Sequence, residues 1–177
     1  MRAACTLIAI LLGTGYPRPD GIHAGAATAI VAGDRWFVVD AGRGATMRIA
    51  SAKLDYANLQ AVFLTHFHSD HTAGLPDLFD TSWQFGRKAR PLELYGPPGV
   101  SRLSKAMLEF FRDDIHYRRD LQEKHPAAGA TINSHAVHEG VVWTYRTPLP
   151  ESQKVAGLLA FYDEKLDVDL DGVRQPR

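Results

Sequence analysis

A single cysteine, Cys5, stands in 177 residues, which excludes an internal disulfide framework and any cysteine-based zinc knuckle. Net charge is also absent, since 20 Lys and Arg balance 20 Asp and Glu. No whole-molecule field therefore draws the chain to a polyanion, and any basic groove has to be local. There is no internal repeat, no low-complexity tract and no apolar run long enough to span a bilayer. The run that follows Met1-Arg2 stops at Leu12, before Gly13-Thr14-Gly15-Tyr16-Pro17, and has no small-residue cleavage site ahead of that stop. It reads as a buried first strand rather than an export signal, which leads us to expect a cytoplasmic protein with no membrane partner. What the chain does have is 45% apolar and 23% charged residues, the composition of a folded domain with a packed core.

Local pattern gives an α/β order. Thr6 to Leu12 reads as a fully buried strand closed by a Gly/Pro loop. Ala27 to Ala32 and Arg35 to Asp40 are apolar runs separated by Gly33-Asp34, a hairpin signature. Asp40-Ala41-Gly42 turns the chain into a helix from Ala45 to Leu54, with Met47, Ile49, Ala50 and Leu54 for its inner face. Gln60 to Thr65 is the next buried strand. Pro76 to Phe85 reads as a helix with proline in its first turn, Pro91 to Tyr95 as a strand and Ser101 to Phe111 as an amphipathic helix. Arg112 to His125 is dense in both charges and reads as a solvated connector. Beyond it Ala130 to His138, Val142 to Arg146 and Lys165 to Leu170 have strand-like composition.

The chemistry concentrates in Thr65-His66-Phe67-His68-Ser69-Asp70-His71, at the C-terminal end of the fourth run, where α/β folds gather ligands. A catalytic zinc needs neutral imidazoles or carboxylates held rigidly, with one position left for water. His66 and His68, at i and i+2, can reach one ion from the same side, while Asp70 and His71 can face a second ion beside it. Two such ions can share a bridging hydroxide, a strong nucleophile near neutral pH. A bare H-x-H would be read as a histidine-rich surface loop. Three histidines and an aspartate after a buried strand, with Gly74-Leu75-Pro76 leading into a helix, read as a metal site.

This segment resembles the metallo-β-lactamase superfamily, and within it the branch that holds ribonuclease Z and the zinc arylsulfatases. Leu11-Leu12-Gly13-Thr14-Gly15, Val39-Asp40-Ala41-Gly42-Arg43-Gly44, Gly74-Leu75-Pro76-Asp77, Leu94-Tyr95-Gly96-Pro97-Pro98-Gly99 and Ile115-His116-Tyr117-Arg118-Arg119 extend the likeness in the family's order. The resemblance implies that His66 and His68 hold a first zinc and Asp70 and His71 a second. It also makes Asp70 the catalytic residue that assists the attacking water, and Asp40 a support behind the site. The Gly13 to Gly15 turn either lets backbone pass close to the site or is an ordinary tight turn. The implied function is a zinc-dependent hydrolase of phosphodiester (RNA-like) or sulfate ester bonds. Its substrate would be a small-molecule ester or RNA, and a homodimer is a possible assembly. The alternative is a catalytically inactive metal-binding remnant.

The family completes its site with a further histidine, an aspartate bridging the metals and a last histidine, all from its second half. No Ser-Gly-Asp-like segment stands here, and His138, followed by Glu139-Gly140-Val141-Val142, reads as a strand or turn residue. The tail instead resembles, through Trp143-Thr144-Tyr145, Pro148-Leu149-Pro150-Glu151 and Ala160-Phe161-Tyr162, the end of a small β-rich bacterial domain family of unknown function. The expected architecture is therefore α/β: a truncated αββα sandwich half over residues 1–140, joined to a short β-rich C-terminal segment, 141–177, of different origin. Zinc is expected in up to two ions by the family pattern, and in one or a loosely bound ion with this donor set. Asp167-x-Asp169-x-Asp171-Gly172 imitates a calcium loop, but Val168 and Leu170 alternate as in a strand. Arg112, Arg118, Arg119 and Lys124 interleave with acids and read as a solvated face rather than a nucleic-acid surface.

Overall fold

The computed structural model describes residues 7–138, 143–145 and 155–157. Contacts divide the chain into two units, Met1–Val137 and His138–Arg177. In the first, β1 (Leu7–Gly13), β2 (Ala27–Ala32), β3 (Arg35–Val39), β4 (Leu59–Phe63), β5 (Leu92–Gly96) and β6 (Ile132–Ala136) form one sheet in the order β1-β2-β3-β4-β5-β6. β1 to β3 are antiparallel, and β3 to β6 run parallel. The hairpin between β2 and β3 turns at Gly33, whose φ of 65° is left-handed and therefore suits a residue without Cβ. In the second unit, β7 (Trp143–Tyr145) and β8 (Val155–Gly157) pair antiparallel.

Register explains why the helices all settle on one face. Ile10, Ala29, Val38, Val62 and Leu94 lie in one row across the strands. Their face carries the core together with Ile49 of α1 (Ala45–Ser51), Leu75, Leu78 and Phe79 of α3 (Leu75–Ser82) and Met107 of α4 (Val100–Phe110). The short α2 (Ser69–Thr72) follows β4, and α5 (Arg112–His116) follows α4. Each fully buried large side chain in this layer contributes roughly 1.5–3 kcal/mol. The opposite face carries Phe63, Tyr95 and His135 in register, with the Phe63 and Tyr95 rings stacked at 5.0 Å and the Tyr95 and His135 rings at 4.4 Å. One sheet with one helical layer is half of an αββα sandwich, as the sequence leads us to expect. Among the described residues no helix is long and apolar enough to cross a membrane.

Several expectations change. The first strand is not fully buried: it is the sheet edge, and Leu7 and Leu11 are 58% and 71% exposed. Apolar composition cannot tell a central strand from an edge strand. The first helix ends at Ser51, and its inner face is Ala45, Thr46 and Ile49, with Met47 and Ala50 turned out. Residues 112–125 are not a plain connector, because α5 and a π-turn over Tyr117–Leu121 shape them, with Ile115 buried. Their charges are consumed locally: Arg118 pairs with Asp114 and Glu123, and Arg119 with Asp120. The helix placed at Pro76 to Phe85 instead runs Leu75–Ser82 and passes into a π-turn, Trp83–Arg87. There the buried Arg87 guanidinium donates to Ser82 Oγ and to the carbonyls of Phe79, Arg90 and Gly129. The strand read at Lys165 to Leu170 and the Asp167–Gly172 motif lie outside the described residues.

Asp80, a half-buried acid of α3, lies near Asp114 of α5. Asp80 Oδ1 is shut off from water without a hydrogen-bond partner, while its Oδ2 accepts from Gln84 at 2.6 Å. Burial first, and the neighbouring Asp114 carboxylate second, push Asp80 from its ordinary 3.8 up to about 6. A carboxyl whose folded pKa is raised holds its proton longer in the folded state than in the unfolded one. It therefore withdraws stability as pH rises through that interval. Thermal stability should fall as pH rises from about 4 to 6, and Asp80→Asn should flatten that slope. Equal slopes for wild type and variant in melting curves across this window would contradict the assignment.

Candidate metal centre

The site is built around Asp40, at the end of β3. It is 5% exposed and takes a left-handed φ of 59°, a conformation that aspartate adopts more readily than most residues. Its amide donates to Phe63 O of β4 at 2.7 Å, which brings the ends of the two parallel strands together. Its carboxylate then reaches two separate parts of the loop. Oδ1 accepts the Thr65 amide at 2.9 Å, and Oδ2 accepts the Thr65 hydroxyl at 2.8 Å and His71 Nδ1 at 2.7 Å.

These contacts decide which ring nitrogens remain free. The Thr65 hydroxyl gives its proton to Asp40, so it accepts from His66 Nδ1 at 2.9 Å. Both His66 and His71 thus carry a proton on Nδ1 and expose a lone pair on Nε2, the arrangement that carboxylates and hydroxyls impose on metal-binding imidazoles. Burial, reinforced by the neighbouring His71, lowers the pKa of His66, so that ring stays neutral further into the acid range.

The three imidazoles lie together, with centroids 4.1 Å apart for His66 and His71 and 4.7 Å for His66 and His68. His68 caps α2 with extended backbone, and Asp70 follows in that helix's first turn. Asp70 is 7% exposed, and its carboxylate makes no hydrogen bond among the described residues. His71 Nε2 stands 3.6 Å from its Oδ2. The Asp70 oxygens are not shut off from water, so solvent or a cation can reach them. The donor chemistry thus fits a metal, although the rings pack on one another. Among the described residues no three His, Cys, Asp or Glu side chains enclose a metal-sized position.

The bed beneath the loop is made of backbone. A Cβ on Gly42 would fall on the Asp70 carbonyl oxygen, one on Gly74 on the Gly42 carbonyl, and one on Gly25 would stand 2.8 Å from the Asp70 carbonyl. Ala41 donates to His71 O, and Gly74 to Ala41 O, each at 2.8 Å. The Gly13 to Gly15 turn lies against residues 24 and 25 of the same bed, so it is more than an isolated tight turn.

Of the later histidines, His135 sits at the end of β6. Its ring is stacked on Tyr95, and its Nε2 is 2.7 Å from Glu93 Oε2. His138 is exposed. Among the described residues the side-chain partners of His135 are Glu93 and Tyr95, not the loop. The orienting hydroxyl of Thr65 has no marker of its own in the sequence, because the carboxylate that sets it stands 25 positions earlier.

A family model described as "Metallo-beta-lactamase superfamily" matches residues 20–149. The chain belongs to the metallo-beta-lactamase superfamily. It is 40% identical over 169 residues to a protein named Ribonuclease Z from Mycobacterium sp. (strain KMS), across 90% of this chain and 58% of that protein. It is 44% identical over 139 residues to the protein of that name from Mycobacterium marinum (strain ATCC BAA-535 / M), across 75% of this chain and 48% of the other. The chain therefore spans about half the length of the curated relatives it matches. The crystal structure of human tRNase Z, short form, superposes with a TM-score of 0.54 at 27% identity, over 59% of this chain and 40% of that one. A second model, "Domain of unknown function (DUF427)", matches residues 127–172.

Gly42→Ala tests the backbone bed. With no room between Gly42 and the Asp70 carbonyl, the loop has to shift, at a cost of about 1–3 kcal/mol for overpacking. Urea denaturation should show that loss together with weaker zinc retention. A variant matching wild type in both would mean that the loop does not depend on this contact.

Proposed function

We propose that the chain carries the metal loop of a zinc-dependent hydrolase that cleaves RNA phosphodiesters. His66, His68, Asp70 and His71 would be its ligands, and Asp70 would also orient the attacking water. The observation that carries this reading is the pair of hydrogen bonds, Asp40 to His71 and Thr65 to His66, that leaves two adjacent Nε2 lone pairs beside the donor-free Asp70 carboxylate. Similarity to proteins named ribonuclease Z and tRNase Z supports RNA as the substrate class. Zinc at such a site supplies Lewis acidity toward a non-bridging oxygen and a water that ionises near neutral pH. The chain's own residues do the rest. Asp40 fixes the His71 tautomer and stabilises positive charge that develops on its ring, Thr65 fixes the orientation of His66, and Asp70 offers a proton acceptor beside them. An RNA substrate accords with a cytoplasmic protein. Residues 141–177 are read as a segment of different origin from 1–140, although the two family matches, 20–149 and 127–172, overlap across that boundary.

A second reading, an inactive metal-binding remnant, draws on one observation: all four donors come from a single loop, and His135 is engaged by Glu93 and Tyr95 instead. A nucleophile held by one loop lacks the fixed geometry that supplies much of a hydrolase's rate.

Zinc content separates this loop from any other site. Elemental analysis should show that His66→Ala combined with His68→Ala removes most of the bound metal, because two imidazole ligands are lost outright. Equal metal content in wild type and the double variant would place the metal elsewhere.

Activity separates the two readings. With added zinc, an active chain should cleave a 3′-extended RNA and bis(p-nitrophenyl) phosphate in preference to p-nitrophenyl sulfate, and Asp70→Ala should lower the rate by about 100-fold or more. Zinc binding without Asp70-dependent turnover would favour the remnant, and preferential sulfate release would favour the arylsulfatase-like branch.

A further inference from the structure

Between the two histidines that begin the metal loop stands Phe67, and its ring is turned outward. At 37% exposure it is the large apolar side chain that this loop leaves uncovered. An isolated exposed apolar residue is ordinary in itself, but two neighbours set this one apart. The first is Gly99, in the loop after β5, with a left-handed φ of 111°. A Cβ built there would stand 3.4 Å from Phe67 Cε2 and 3.6 Å from Arg102 Nη2. The ring and the guanidinium therefore flank one small open position that the missing side chain at 99 keeps clear.

The second neighbour is Arg102 itself. It is exposed, and its side chain makes no hydrogen bond or ion pair among the described residues. Lys105, one turn further along α4, is likewise exposed and without an ion pair among them. This contrasts with Arg112, Arg118 and Arg119, each of which is held by carboxylates. A cation left unpaired beside an aromatic face is the pairing that proteins use for single-stranded nucleic acid, with stacking for the base and charge for the phosphate.

We propose that Phe67 and Arg102 form a nucleotide subsite beside the metal loop: Phe67 stacks on the base next to the scissile bond of single-stranded RNA, and Arg102 pairs with that nucleotide's phosphate. The inference rests on the reading of the chain as an RNA hydrolase and assigns that site a means of holding its substrate. Stacking on Phe67 tolerates any base, since every base has a π-face, so the subsite positions a strand without reading its sequence.

The test is fluorescence anisotropy with the full chain, zinc and a labelled single-stranded RNA hexanucleotide. Phe67→Leu keeps the bulk but loses the aromatic face, and should weaken binding by about tenfold or more, the scale of one stacked base. Phe67→Tyr keeps the face and should stay within about twofold of wild type. Arg102→Ala should reduce the slope of log affinity against log salt by about 0.7, the release expected from one phosphate contact on a single strand. Melting curves and zinc content of the variants should match wild type, which removes misfolding as an explanation. RNA binding that Phe67→Leu leaves unchanged would overturn the stacking role, and an unchanged salt slope in Arg102→Ala would overturn the phosphate contact. Both results would leave the hydrolase reading standing. A wild-type chain that binds zinc but no RNA would overturn the subsite and the RNA reading together.

Discussion

The Asp40 carboxylate is the interaction on which the metal loop depends. It lies nearly dry at the end of β3, and an unpaired carboxylate there would be strongly disfavoured. Its oxygens instead accept the Thr65 amide, the Thr65 hydroxyl and His71 Nδ1. Three consequences come from one group. The end of β4 is fixed beside β3, the return of the loop at His71 is tied to its beginning at Thr65, and the free nitrogens of two imidazoles are chosen. The left-handed backbone at Asp40 is what aims the carboxylate, and the surrounding strand pairing holds that conformation in place.

The rest of the unit is arranged to make that bond possible. Parallel pairing of β3, β4 and β5 puts their C-terminal ends at one edge, and the helices lie on the face opposite the Phe63–Tyr95–His135 row. Glycines at 25, 42 and 74 let three backbone segments meet under Asp70, closer than any side chain would allow. The backbone of the loop is therefore short of freedom, held from below by close main-chain contacts.

Much of this was legible in the sequence because the signals are local. Gly33-Asp34 marks the hairpin, the period of apolar residues marks β2 to β5, and the histidine spacing after a buried run marks the loop. What was not legible depends on position in the assembled sheet. Leu7 and Leu11 look like core by composition, but their strand lies at the edge, so they face outward. Met47 looks like part of an inner face, yet the start of α1 at Gly44, with its left-handed φ, rotates the buried stripe onto Thr46 and Ile49. The helical turns after Phe110 were hidden by their charge, because Arg118 and Asp114 at i and i+4 support a helix as readily as they solvate a loop. The role of Thr65 was out of reach for a different reason: a hydroxyl that takes its cue from a carboxylate 25 positions earlier leaves no local pattern.

The edge position of β1 has a bearing on the behaviour of the protein in solution. Leu7–Gly13 carries no charge, no proline and no lysine, the devices by which open sheet edges normally discourage further strands. Among the described residues its outer side has no partner strand. Crowding at high concentration would therefore set intermolecular strand addition at this margin against the folded chain, a competition decided at the rim of the sheet rather than in its core.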